Sequence, residues 1–459
     1  MLCRFGWVAA RVAVIIVVVF GVGTWGCGDE GPGTMPDAGP EVDSAVPLLP
    51  TADYIFDMTR LHRFELEVAP ADWQKLHDEA LLEQYVPATM IFEGTRYEKA
   101  AVRFKGAWNS LTACFVDGEQ VCPKLSIKIS FNEYGHGRFA GMRKLILNSS
   151  VRDPSLMHDV TGYWLYRAMG LHAPRASHAM LTVNGEDQGL FVLVENIDKE
   201  FVEDHFTDET GNLFKSVWPQ GGNAPERYID ALRTNEDVPD ISGMLALEQL
   251  VNSTTDQTFA SDFAGVIDLS YMTRFLAVDR AINNADGSGR FYCFDYPGWQ
   301  VCRNNNFYLY DEPGGVFHLI PWDLDHALYD VNDDLGRGLF STECAVIPAC
   351  TIWGHDPCPA DEISIGIMPT QCDALSGHIH RSTWSDYVAA LDELEKGPLA
   401  AEKIGAMLAA EREKIRAAVA ADPFGPGMAS WQESNDWLDV VLSRSRAAIR
   451  ALVAESQTP

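Results

Sequence analysis

The apolar residues of this chain change their period from one segment to the next, and that change limits the fold more than any other feature. A two-residue period buries one face of a strand, whereas a period near 3.6 buries one stripe of a helix. In Leu125-Ser126-Ile127-Lys128-Ile129-Ser130-Phe131 the alternation is strict, with four apolar residues on one side and Ser126, Lys128 and Ser130 on the other, which predicts a half-buried strand. Asp153-Pro154 then supplies a helix cap and a first-turn proline, and Leu156, Val160, Trp164 and Ala168 follow at helical spacing up to Gly170. This predicts a helix that begins at Pro154 and stops at Gly170. Residues 180–183 and 190–194, joined through Asn184-Gly185, predict a hairpin. A helix opens at Asp268 and runs to about Asn283, and strands at 306–310 and 316–320 flank Pro313-Gly314-Gly315. Residues 384–455 read as mostly helical, interrupted at Pro423-Phe424-Gly425-Pro426. With no internal repeat, this order predicts an α+β fold. A chain of 459 residues exceeds the roughly 250–300 at which single cores stop growing, so the domain is expected to be bilobal.

The region before residue 51 reads differently. Arg4 and Arg11 precede an apolar stretch at 12–25, too short to span a bilayer comfortably and suited to an export signal. Thr24-Trp25-Gly26-Cys27 resembles a relaxed bacterial lipobox, so residues 1–27 are expected to be a signal peptide that leaves Cys27 acylated and the protein at the cell envelope. Ordinary signal cleavage and an uncleaved anchor are the alternatives. Residues 28–50, rich in Gly, Pro, Asp and Ser, form a flexible linker, and the folded domain occupies 51–459. Beyond Cys3 and Cys27, eight cysteines fall as sequence neighbours: Cys114 with Cys122, Cys293 with Cys302, Cys344 with Cys350, and Cys358 with Cys372. Such a set suits disulfides in an oxidising compartment, and no pair has the CxxC spacing of structural zinc. The formal net charge of −30 repels polyphosphate backbones, which argues against a nucleic-acid partner and obliges any nucleotide site to gather its own cations.

Two acidic elements sit where sites are commonly built, Asn283-Asn284-Ala285-Asp286-Gly287 after a helix and Pro321-Trp322-Asp323-Leu324-Asp325 after a strand. Phosphoryl transfer needs one carboxylate to orient or accept the proton of the attacking hydroxyl and another to hold Mg²⁺. Several further motifs accompany them in order: Arg103-Phe104-Lys105-Gly106, Asp153-Pro154-Ser155-Leu156-Met157, Val183-Asn184-Gly185 with Gly189-Leu190-Phe191, Gly211-Asn212-Leu213-Phe214-Lys215, and Asn306-Phe307-Tyr308-Leu309-Tyr310. This ordered set, spanning 54–329, resembles the CotH family of atypical, spore-coat-type protein kinases.

The resemblance implies a bilobal protein-kinase-like fold with a helical C-terminal part, binding ATP with Mg²⁺ (Mn²⁺ as the alternative ion) and phosphorylating Ser or Thr of proteins outside the cytoplasm. By position Asp286 corresponds to the family's catalytic Asp, Asp323 to its metal-binding Asp, and Asn306 to the Asn that follows the catalytic Asp. Here an insertion carrying Cys293 and Cys302 separates Asp286 from Asn306, where the family keeps them a few residues apart. Lys128 is the first choice for the phosphate-contacting lysine, with Lys124 and Lys215 as competitors and Glu195 as an ion-pair partner. Arg103, Lys105, Gly106, Asn109 and Ser110 form the candidate turn over the nucleotide. Three other readings stay open: a structural Ca²⁺ site at Asp323 and Asp325, a non-catalytic surface module or pseudokinase, and a metal-dependent hydrolase.

Overall fold

The computed structural model describes residues 50–106, 111–135, 137–296, 299–329, 347–348 and 365–457. Its first half is a closed barrel of seven strands, β1 (Leu61–Val68), β2 (Val86–Phe92), β3 (Thr95–Phe104), β4 (Ile127–Ser130), β5 (Lys144–Asn148), β6 (Ala176–Val183) and β7 (Glu186–Glu195), in the order β1-β2-β3-β4-β5-β7-β6. All neighbours are antiparallel except at the closure, where β6 runs parallel to β1 with Leu61 opposite His178. The alternating segment behaves as its period dictates. Leu125, Ile127, Ile129 and Phe131 are buried in the barrel core with Phe64, Phe92 and Phe139, and Lys128 lies on the other face. The Asn184-Gly185 turn joins β6 to β7 with both residues at positive φ (52° and 82°), the conformation that a two-residue type I′ hairpin turn requires.

A second core joins the outer face of β5, β6 and β7 to the helices, through Ile146, Met180, Leu190, Val192 and Val194. Helix α1 (His158–Ala168) packs there. It starts four residues later than the sequence predicts. The Asp153 carboxylate caps the chain as expected, accepting from Ser155 N at 3.0 Å and His158 N at 2.8 Å. Leu156, however, takes a φ of 62°, which no helical turn allows, so the Asp153-Pro154 turn stands outside the helix it introduces. Gly170, at φ 72°, ends the helix as read.

Three small strands follow the barrel as one antiparallel sheet: β8 (Asn212–Lys215), then β11 (Phe307–Glu312) and β12 (Val316–Pro321). Helix α2 (Leu269–Ala281), capped by Asp268, packs beside it. Between α2 and β11, the hairpin β9 (Phe291–Tyr296) and β10 (Trp299–Arg303) places Cys293 directly opposite Cys302, and the two are disulfide-bonded, as are Cys114 and Cys122. Strand β13 (Ile365–Met368) pairs with β9. Cys372 is disulfide-bonded, while its expected partner Cys358 and the residues Cys27, Cys344 and Cys350 lie outside the described residues. The C-terminal part is helical from residue 374, ten residues earlier than read, as α3 (Ala374–Lys396), α4 (Ala401–Ala421) and α5 (Met428–Ser456). The fold is thus α+β, with a barrel core and a helix-rich core.

Candidate active site

The segments after α2 and β12 meet. Ala285 N donates to His326 O at 3.3 Å, Trp322 N to Asn306 O at 3.1 Å, and Leu328 N to Ile282 O at 2.7 Å. Within this stitching Asp286 receives Asn305 Nδ2 on one carboxylate oxygen at 3.3 Å and Asn306 Nδ2 on the other at 2.9 Å. Burial, reinforced by the nearby charge of Asp323, pushes the Asp286 carboxyl up to about 6 in spite of these two donors. The disulfide hairpin therefore does for Asp286 and Asn306 what sequence proximity would otherwise do, because the 20-residue separation is folded back on itself.

Asp323 is held by its backbone. Its φ is 54° and that of Asn306 is 53°, left-handed conformations that Asp and Asn tolerate better than other residues with a Cβ. Asp323 N donates to Tyr163 Oη at 2.9 Å, and Leu324 N donates to Asp159 Oδ1 at 3.1 Å. Helix α1 thus carries, four residues apart, both acceptors that fix the acidic loop. It also approaches the loop closely at Gly162, where a Cβ would stand 2.5 Å from Leu324 Cδ1. Asp159 is buried, and burial together with Asp323 pushes its carboxyl up to about 6. Asp325 is pushed to about 8 by burial, Asp323 and Asp159.

Cations border these carboxylates. Asn148 bridges the two sets, donating to Asp159 Oδ2 at 2.9 Å while its Oδ1 accepts from Lys105 Nζ at 2.9 Å. Lys105 and Lys215 each lie 5.8 Å from the Trp322 ring centre, and Trp322 packs edge-on against Tyr308. Lys128 stands opposite Arg103 across β3 and β4. It is half-buried, and its side chain makes neither a hydrogen bond nor an ion pair among the described residues. Burial, with Lys144, Arg103 and Lys105 nearby, lowers its pKa to about 7. Burial and Lys105 likewise lower that of Lys215.

A family model described as CotH kinase protein matches residues 102–448. The chain belongs to the CotH family. It is 23% identical over 282 residues to inner spore coat protein H of Bacillus subtilis (strain 168), an alignment covering 59% of this chain and 69% of that protein. It is 36% identical over 73 residues to the inner spore coat protein H-like protein of the same organism, 16% of this chain and 22% of that one. The crystal structure of the Helicobacter pylori proinflammatory kinase CtkA aligns over 72% of this chain and 94% of that one at 11% identity, with a TM-score of 0.30, a likeness too slight to argue from. The CotH match begins inside β3, so the two strands that complete the barrel precede it, whereas every carboxylate and cation described above falls within it.

In this CotH-family chain the structure brings Lys105 and Lys215 to the cluster of Asp286, Asn306 and Asp323, and Lys128 and Arg103 lie next to Lys105, Arg103 ion-paired with Glu83. It places two sequence-chosen residues elsewhere. Lys124 is buried against Asp422 at 2.7 Å, and Glu195 is buried against Arg175 and His205, accepting from Arg175 N at 2.9 Å. Neither adjoins the acidic loop, so both leave the candidate nucleotide site. Gly106, at φ 140°, keeps the backbone freedom expected of the turn, while Asn109 and Ser110 lie outside the described residues. Sequence reasoning missed Asp159, Tyr163, Asn148 and Asn305. An acidic residue four positions before a tyrosine on a helix with few exposed positions was the one available signal for the first two.

Proposed function

We propose that this CotH-family protein transfers the γ-phosphoryl group of ATP, with Mg²⁺ or Mn²⁺, to Ser or Thr hydroxyls of proteins outside the cytoplasm, held at the membrane by an acylated Cys27. The observation that carries the reading is the junction of Asp286 and Asp323 beside Lys105 and Lys215, with Lys128 next to Lys105 and neither Lys128 nor Lys215 ion-paired among the described residues. The Asp323 carboxylate and the Asn306 amide oxygen are hard oxygen donors of the kind Mg²⁺ prefers, and the negative charge of Asp323, which with burial pushes Asp159, Asp286 and Asp325 upward, is what a divalent cation would relieve. Asp323 and Asn306 would hold the ion, and Asp286 stays free for the acceptor. Bound there, Mg²⁺ would neutralise charge on the β- and γ-phosphates.

The chain's own groups account for the remaining steps. Lys105, Lys128 and Lys215 offer the phosphates local positive charge against the background of a net charge of −30. Asp286 accepts the proton of the acceptor hydroxyl as its oxygen bonds to the γ-phosphorus and the bond to ADP breaks. A carboxyl lifted to about 6 is mostly ionised near neutral pH yet a stronger base than an ordinary Asp. The direct test incubates the purified protein with γ-labelled ATP, Mg²⁺ or Mn²⁺ and a generic protein acceptor. Label appearing on Ser or Thr supports the reading; a folded protein that binds ATP but transfers nothing to protein overturns it.

The lysine set makes a separate prediction. Lys128 is largely neutral above its depressed pKa of about 7, and a polyphosphate beside it favours the ammonium, so its pKa rises on binding. ATP binding at pH 8 is expected to take up about one proton, and less at pH 6 where the lysine is already charged. Calorimetry in two buffers of different ionisation enthalpy measures the uptake. Lys128→Met is expected to abolish it, and an unchanged uptake in that variant would place Lys128 away from the phosphates.

A further inference from the structure

The turn that carries Asp286 lies over a side chain that none of the chemistry above uses. Asp279, in the last turn of α2, is 1% exposed. Its Oδ1 accepts from Tyr166 Oη at 3.1 Å and from Asn284 Nδ2 at 3.0 Å, and its backbone carbonyl accepts from Asn284 N at 3.0 Å. Asn284 is therefore held at both its backbone and its side chain by one residue, two positions before Asp286. The turn closes tightly around this anchor: a Cβ on Gly287 would stand 2.2 Å from Asn284 Nδ2 and 2.9 Å from Asp279 Oδ1, and one on Gly289 would stand 2.8 Å from Asp279 Oδ2. The two glycines let the backbone pass over a buried carboxylate where any other residue would push it away.

Tyr166 is the second half of the argument. It sits on α1, one turn beyond Tyr163 and two beyond Asp159, the residues that hold the Asp323 loop. The Asp279 carboxylate thus ties the Asp286 turn to the same helix that fixes Asp323. A buried ionisable group is costly unless it is paired and hydrogen-bonded; the buried Arg280 and nearby Arg290 offset part of the Asp279 charge, and its side-chain hydrogen bonds go to Tyr166 and Asn284. We infer that Asp279 is a positioning residue that, through Asn284 and Tyr166, sets Asp286 in register with Asp323 across α1 and α2. Its value for turnover rests on the phosphotransferase reading; its hold on the turn does not.

Two mild variants test this, Tyr166→Phe, which removes one hydroxyl, and Asn284→Ala, which removes one amide, beside Asp279→Ala and Asp279→Asn. Misplacing a reacting group by about 1 Å costs roughly a hundredfold in rate. Asn284→Ala and Asp279→Ala are expected to lose kcat on that scale with KM for ATP nearly unchanged, and Tyr166→Phe to lose less. Asp279→Asn, which keeps an acceptor oxygen, is expected to recover most of the rate. Hydrogen exchange read by mass spectrometry is the second measurement. Amides of the 283–290 segment are expected to exchange about tenfold faster in Asn284→Ala and Tyr166→Phe while the rest of α2 keeps its protection. If Asp279→Ala fails to fold, the two mild variants still decide. Unchanged exchange in the turn and unchanged kcat in both would overturn the inference. A wild-type protein that transfers no phosphate would remove the functional reading alone, because the exchange measurement stands without it.

Discussion

Asp286→Ala is expected to lower kcat for phosphate transfer by about 10²- to 10⁴-fold, the range typical of removing a positioned general base, while KM for ATP changes little. The argument runs from the neighbours of the side chain. Asp286 takes hydrogen bonds from Asn305 and Asn306 and is charge-coupled to Asp323, but it meets none of the lysines assigned to the phosphates. Its removal should therefore leave ATP binding standing and strike the step in which the acceptor loses its proton. Asp323→Ala is expected to behave differently, raising the concentration of Mg²⁺ or Mn²⁺ needed for half-maximal rate as well as lowering the maximum, because that residue would hold the ion. Initial rates at saturating and limiting ATP, with the divalent ion titrated, separate the two patterns. Equal losses of kcat and ATP affinity in Asp286→Ala would remove it from the base role. Full activity would remove the site altogether.

The elements were legible where a local pattern settles them. Strict alternation at 125–131 put the right four residues inside the barrel, and Asn184-Gly185 marked its hairpin, because period and turn chemistry are properties of neighbouring residues. The closure of the barrel was not legible. It depends on a parallel pairing between 61–66 and 178–183, and no local pattern reports which distant strand lies alongside. The helix read from Pro154 failed at one residue: the spacing of Leu156 fits a helix, but the Asp153 turn that precedes the helix forces that residue to positive φ.

The site divides along the same line. Asp286, Asn306 and Asp323 follow from motifs in order, whereas the choice among lysines depends on partners far away in sequence. Lys128 lies within the alternating strand and Lys124 just before it, so the sequence ranks both near one another, and only the fold shows that one lies among cations without an ion pair and the other meets an aspartate 298 positions later. Glu195 was misplaced for the converse reason. Arg175, its partner, is brought opposite by the pairing of β6 with β7, donating its backbone N–H and its guanidinium to the same carboxylate.

That distant aspartate makes the largest stability prediction. Asp422 lies just after α4, and its Oδ2 accepts from Lys124 Nζ at 2.7 Å and from Leu190 N at 3.0 Å, while Oδ1 accepts from Phe424 N at 2.9 Å. Lys124 also donates to the Leu190 carbonyl and lies 4.8 Å from the Phe191 ring centre. The side chains are 6% and 1% exposed, and Gly189 leaves the space the carboxylate fills, since a Cβ there would stand 1.9 Å from Asp422 Oδ1. The turn between the last two helices is thereby fastened to the barrel through β7. Removing one partner of a buried ion pair typically costs about 3–5 kcal/mol, because the other charge is left without compensation in a low-dielectric setting. Asp422→Ala is expected to lose that much, leaving an ammonium with one carbonyl acceptor. Lys124→Met is expected to lose less, since the carboxylate keeps two backbone donors and the methionine can pack on Phe191. Urea unfolding at constant slope reads both. A loss below about 1 kcal/mol in Asp422→Ala would mean that the pair is solvated like a surface bridge. The same variants decide between the two lysines: Lys124→Met that remains folded is expected to keep the KM for ATP, and Lys128→Met is expected to raise it.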